Sequence, residues 1–473
     1  MRRPAGSAVV LVLMVLASAC SSSTGPATPT GATSGAATSP AAEHVAVESM
    51  WTHLDALQRI GDEHGGTRAV GTPGYDASVD YVAGVLRDAG YEVELRTVDV
   101  PAFEQDGPTV LERIEPSPLA WSDGTDLRAM LFSASGEVRG QVTAAKGGCE
   151  PTDLLGFPEG DVALLEPGPC LRRDQVTNAQ DVGAAAVIFP YPDTAPGRAL
   201  RPTLLYPDAI TIPALAVTPE VGDALATHGG RQPSVHIRVD ASSRWDEAES
   251  VIVQTPSGDP SRVVMLGAHL DSVIDGPGLN DNGSGVAVLL ATAQWLASRQ
   301  TDAMVRIAFW AGEEEGLYGS RNYVQGLSDE EREAISAYLD LDMVASPNFG
   351  RFVIADAPMD PSAAEGNAMI QDLYTAYFEE RGLAVKPIDT GGSGDQGPFT
   401  AAGIPIGGLF AGSANDKTPK QAAAYGGDAG EPMDPCYHQA CDTTENVSGT
   451  ALRQSFAATV DVLTELASVE PAP

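Results

Sequence analysis

The chain is short of positive charge, cysteine and long apolar runs, and each shortage closes off a class of function. Its 473 residues carry 28 lysines and arginines against 64 aspartates and glutamates, a formal charge of −36, with no basic block anywhere. A phosphate backbone would be repelled, so nucleic acid is excluded as a partner. The acids are dispersed and 43% of residues are hydrophobic, which describes a globular protein rather than a disordered one. Only five cysteines occur, with no CxxC pair, and this argues against a thiolate zinc site. The N-terminal apolar stretch, Ala8 to Leu16, is too short to span a bilayer.

That stretch reads instead as part of an export signal covering residues 1–20. Arg2 and Arg3 precede it, and the small residues Ala17, Ser18 and Ala19 lead to Cys20. The run LASAC resembles a bacterial lipoprotein cleavage box, which implies Cys20 as the lipid-bearing first mature residue. Ala17 stands where leucine is usual, and the alternative is an ordinary signal cleaved nearby. Residues 21–44 are largely Ser, Thr, Gly, Pro and Ala and are expected to be a flexible tether. The expected location is the outer side of the cell membrane or the medium, with membrane contact only through Cys20. Export permits disulfides, and proximity pairs Cys149 with Cys170 and Cys436 with Cys441.

The rest alternates between two textures. Residues 45–125 and 246–473 show amphipathic helical patterns and short apolar runs. Val79, Tyr81, Val82, Val85 and Leu86 recur at helical spacing, YEVELRTVDV alternates like a strand, and ALRQSFAATVDVLTEL closes the chain as a helix. Residues 126–245 hold short strand-like runs among glycine and proline, and are expected to be a small β-rich insertion. The fold class is α/β, with three layers: a mostly parallel central sheet flanked by helices. In such sheets ligands bind beyond the carboxyl ends of the strands.

The polar clusters stand at those ends. His269 and Asp271 close VVMLGAHLDSV, Asp281 lies in the following GLNDNGSG loop, Glu313 and Glu314 follow VRIAFW, and Asp342 closes YLDLDM. Alone, HxD is a weak signal, and Asp281 before an apolar helix is also where an N-cap belongs. Consecutive glutamates at a strand end would repel one another without a cation. Because adjacent side chains of an extended segment point opposite ways, one of them can hold a metal while the other faces substrate as a base. His438 in CYHQAC is the best second histidine, pinned in a small ring if its flanking cysteines pair. Imidazoles with carboxylates and no thiolate suit zinc with an open position, and the excess of carboxylates suggests two metals sharing one aspartate. His228 and His236 lack acidic neighbours at ligand spacing.

Together GAHLDSV, NDNGSG, EEEGLYGS, YLDLDM and CYHQACD resemble, in order and spacing, the secreted two-zinc aminopeptidases of the leucyl aminopeptidase and aminopeptidase Y type. The resemblance implies two Zn²⁺ per chain, with His269 and Asp342 on one, Glu314 and His438 on the other, and Asp281 bridging. It implies Glu313 as general base, Asp271 as the partner orienting His269, and Tyr437 as the group that stabilises the oxyanion. Calcium stays open. The stretch GDVALLEPGPCLRRDQVTNAQDVGAAAVIF resembles a protease-associated domain, non-catalytic and shaping access. One departure concerns Ser393-Gly394-Asp395-Gln396-Gly397-Pro398-Phe399, which lacks an arginine that bacterial leucyl enzymes often carry there. The expected activity is hydrolysis of N-terminal residues from peptides with a free N-terminus, by a monomer. The alternatives are a carboxypeptidase, for which Arg321 is the nearest cation, a glutaminyl-cyclase-like acyltransferase, and a non-catalytic binding protein.

Overall fold

A computed structural model describes residues 40–191, 199–226 and 232–470. The signal, Cys20 and most of the tether lie outside the described residues. A helix runs Pro40–Glu63, so the last residues expected to be tether are helical.

Among the described residues the strands form two eight-stranded sheets. Numbered in chain order, the strands of the larger sheet are β1 (Val93–Gln105), β2 (Ala241–Gln254), β3 (Asp259–His269), β4 (Ala303–Trp310), β5 (Ile335–Leu341), β6 (Phe352–Ile354), β7 (Lys386–Ile388) and β8 (Ile406–Phe410). Their order across the sheet is β1-β2-β4-β3-β5-β8-β6-β7. The four central strands, β4, β3, β5 and β8, are mutually parallel, and β1, β2 and β6 join antiparallel. Val263–His269 is buried throughout, as a strand covered on both faces must be. Parallel neighbours end at the same level, so His269, the turn after Trp310, and Asp342 meet at one edge.

Helix Gly283–Leu296 is apolar on nearly every side, and its residues from Gly283 to Ala293 are all buried. It packs on the sheet beneath the helices Pro40–Glu63 and Gly449–Ala467, which hide its outer face. Its N-cap is Asn282, whose side chain accepts from Gly285 N–H at 2.9 Å. Asp281 is therefore left free of the capping role.

On the other face an aromatic cluster underlies the strand ends. Phe399 stacks on Tyr338 with centroids 3.7 Å apart, and Trp310 Nε1 donates to Tyr338 Oη at 2.9 Å. Gly267 is required here, because a Cβ would meet Tyr338 Oη at 2.1 Å.

The second sheet runs in the order Leu119–Trp121, Val110–Glu115, Ser234–Val239, Gly136–Ala145, Val162–Leu165, Ala186–Pro190, Ala214–Val217, Leu127–Ala129. Its first strands lie upstream of residue 126, where the composition changes, because Val110–Glu115 pairs with Ser234–Val239. A long antiparallel ladder of β1 and β2, from Val93↔Val253 to Gln105↔Ala241, leads into it. A disulfide joins Cys149 to Cys170.

Removing the ring that stacks on Tyr338 tests this packing. Phe399→Ala should cost about 3–5 kcal/mol, the usual range for a buried Phe, read as a lower urea midpoint. A loss under about 1 kcal/mol would show that the cluster repacks freely.

Candidate metal centre

His269 ends β3 and is almost wholly buried. Its Nε2 lies 3.3 Å from Asp281 Oδ1 and 3.3 Å from Asp342 Oδ1. His438 comes from a loop closed by the Cys436–Cys441 disulfide, and its Nε2 lies 3.1 Å from Asp281 Oδ2 and 3.1 Å from Glu314 Oε2. Asp281 thus turns one oxygen to each histidine. Ligand atoms about 2.0–2.1 Å from a tetrahedral ion are separated by about 3.3 Å, which is the spacing found here. Buried Glu314 Oε1 finds no hydrogen-bond donor. Two imidazoles, three carboxylates and no thiolate fit zinc with an open position. Among the described residues, His269, Asp281 and Glu314 form the one group of three ligands drawn tightly together.

Glu313 stands beside Glu314, and burial pushes its carboxyl well above the usual range. Tyr437 stacks on His438 with centroids 3.8 Å apart, and burial followed by the charge of Asp281 raises its phenol. Burial alone would lower both histidines. For His269 the hydrogen bonds to Asp281 and Asp342 override it, and for His438 Glu314 and Asp281 do so, raising both well above the ordinary imidazole value.

Asp271 has a different reach from the one the resemblance implies. Its carboxylate lies 3.9 Å from His269 Nδ1, beyond hydrogen bonding, and Nδ1 instead faces Asp271's own carbonyl at 3.1 Å. The carboxylate accepts from the N–H groups of Gly312 at 2.9 Å, Glu313 at 3.3 Å and Glu314 at 3.2 Å. It fixes the turn that presents both glutamates. His236 pairs with Glu112 and Glu137, away from this centre. His228 lies outside the described residues.

Several supporting residues carry no local sequence signal. Arg68 is fully buried and donates to the carbonyls of Leu270, Pro277 and Gly278 in the loop between His269 and Asp281. Asp442 accepts from Asp281 N–H at 3.0 Å and Asn280 N–H at 2.9 Å. Asp434 takes Asn280 Nδ2 at 2.6 Å and Cys436 N–H at 2.8 Å, tying the His438 loop to the same segment. In the stretch lacking the arginine, Asp395 is buried, and burial lifts its carboxyl to about 7. Gln396 donates to Asp356 at 3.0 Å. Arg321 lines a neighbouring cavity of about 670 Å³ in company with Asp356 and Asp389.

The upward shifts act together in metal-free protein. Asp395 and Asp442, both lifted to about 7 chiefly by burial, keep their protons in the fold while the unfolded chain gives them up from 3.8. Stability therefore falls as pH rises between 3.8 and about 7. The histidines act the same way, because a raised imidazole pKa contributes stability that is lost as pH rises through the folded value. Chelator-treated protein should melt lower at pH 8 than at pH 6, and zinc should raise the melting temperature more at pH 8. A metal-free melting temperature that climbs from pH 6 to pH 8 would contradict this.

Residues 250–463 match the family model described as peptidase family M28, and residues 138–225 match the PA domain. The chain is 39% identical over 424 residues to a probable lipoprotein aminopeptidase of Mycobacterium tuberculosis, covering 86% of this chain and 82% of that one. It is 38% identical over 415 residues to an aminopeptidase of Pseudomonas aeruginosa, covering 84% and 77%. Its fold is similar to that of the aminopeptidase from Aneurinibacillus sp. strain AM-1, with a TM-score of 0.71 over 90% of this chain and 95% of that one at 24% identity. With its metal-type ligands gathered at one edge of a parallel sheet, the chain belongs to peptidase family M28 and carries an inserted PA domain.

Proposed function

We propose that this protein is a zinc-dependent aminopeptidase that binds two zinc ions and removes N-terminal residues from peptides. The observation that carries the reading is Asp281, which offers one oxygen to each of two histidines at the edge length of a tetrahedral zinc site. His269 and Asp342 would hold one ion, Glu314 and His438 the other, and Asp281 both. Bound there, zinc supplies Lewis acidity, polarising the scissile carbonyl and making water a competent nucleophile near neutral pH.

The chain's own groups do the rest. Glu313, fixed through the Asp271–turn contacts, takes the proton of the attacking water and delivers it to the leaving amine. Tyr437 places a phenol beside His438, where an O–H can donate to the developing oxyanion. Asp271, through its carbonyl, orients His269. The carboxylates around the centre attract a substrate's free α-ammonium, which selects for peptide N-termini. A C-terminal carboxylate would meet like charge, since Arg321 is accompanied by Asp356 and Asp389. Similarity to a probable lipoprotein aminopeptidase supports export with a lipid anchor at Cys20. In this reading the enzyme works as a monomer.

The test compares leucine p-nitroanilide with its N-acetylated form, using the mature chain supplied with zinc. Only the free amine should be cleaved. Hydrolysis of the blocked form, or of neither with zinc bound, would overturn leucine-type aminopeptidase activity. Glu313→Gln should keep zinc uptake while kcat falls by roughly 10²–10⁴, and an unchanged kcat would remove Glu313 as the base.

A further inference from the structure

The loop between His269 and Asp281 contains no helix or strand, yet it must hold two ligands in register. Arg68 grips its inner side through the three carbonyls described above. Its outer side is gripped from the inserted domain. Arg128, on Leu127–Ala129, donates to Asp275 Oδ1 from Nη1. Arg201 reaches the same carboxylate twice, Nε to Oδ2 at 2.8 Å and Nη2 to Oδ1 at 3.1 Å. Only 13% of the Asp275 side chain and 9% of the Arg201 side chain is exposed, so the fork is largely screened from water. Both arginines are held by backbone of their own domain, Arg201 Nη1 on the carbonyl of Ala129 at 3.0 Å and Arg128 Nε on that of Ala199 at 3.2 Å. Beside Asp275, Ile274 packs into the inserted domain's core.

The same domain reaches the second ligand-bearing segment. Arg173 lies over the Tyr206 ring at 3.7 Å and donates to the carbonyls of Leu204, Tyr206 and Asp208. Asp208 accepts from Trp245 Nε1 at 3.0 Å, and the Trp245 ring packs edge-on against Tyr318, centroids 6.0 Å apart. Tyr318 closes the Glu313–Glu314 turn, its N–H donating to Gly312 at 2.9 Å.

We propose that the inserted PA domain positions the metal centre, with Arg128 and Arg201 clamping Asp275 so that the loop holds His269 and Asp281 at their bridging separation. The inference rests on the zinc reading of the site. Charge-assisted forks on a carboxylate are strong and directional, and ligand geometry tolerates errors of only about 0.5 Å. Partners that orient ligands typically change metal affinity by about 10–100-fold when lost. Arg128 and Arg201 are positioning residues, because they act through Asp275.

The experiment measures zinc affinity of the full mature chain by competition with a chromophoric chelator, with circular dichroism in excess chelator reporting the metal-free fold. The Arg128→Gln/Arg201→Gln double variant should stay folded and bind zinc about 10–100-fold more weakly, and Arg201→Lys should recover part of the loss. His236→Ala, which removes peripheral contacts to Glu112 and Glu137 in the same domain, should bind zinc like wild type. If the double variant unfolds, Arg128→Gln alone is read, since Arg128 is the more exposed of the pair. A folded variant with wild-type zinc affinity overturns the clamp and leaves the metal site standing. A wild-type chain that takes up no zinc overturns the site and the clamp together.

Discussion

Asp281 between His269 and His438 is the contact on which the rest depends. Carboxylates crowd one end of a sheet in a protein already strongly acidic, and mutual repulsion would drive them apart unless positive charge sat among them. Without metal, protons on the two histidines supply that charge. In the proposed zinc-bound state the same ring nitrogens would turn to the ion, and proton release would accompany binding. A single aspartate serving both sides makes the two halves of the site one electrostatic unit.

Much of the molecule works to keep that unit in place. Asp271 gathers three amides of the glutamate turn, Arg68 spends its guanidinium on loop carbonyls, and Asp434 and Asp442 bind the segment carrying Asn280 and Asp281 to the His438 loop. Each proposed ligand therefore sits on a rigid element or on a loop cross-tied to the loop of another. The parallel block sets the level at which ligands converge, and the aromatic cluster around Gly267 fixes the strands beneath them.

The parts legible in the sequence were those with a local signature. An apolar run ending in a polar cluster marks a buried strand and its carboxyl end, so His269, Glu313, Glu314 and Asp342 could be read one segment at a time. His438 could be reached because two cysteines bracket it, and the bond between them is present. What stayed hidden depends on contacts across the chain. Arg68 reads as one polar residue in a glycine-rich break, and its partners lie some two hundred positions away. Asp271 looked like a partner for the histidine two places before it, whereas its carboxylate closes on the turn at Gly312. The start of the second sheet was invisible for the same reason. Nothing in Val110–Glu115 itself marks its sheet, and only its pairing with Ser234–Val239 assigns it to that sheet.

The measurement that bears most directly on this account is anomalous diffraction at the zinc absorption edge from crystals of the zinc-supplied mature chain. Two peaks about 3.5–4 Å apart, one on each side of the Asp281 carboxylate, are expected. A single peak, or ions bound away from Asp281, would contradict the shared-aspartate centre and the chemistry built on it.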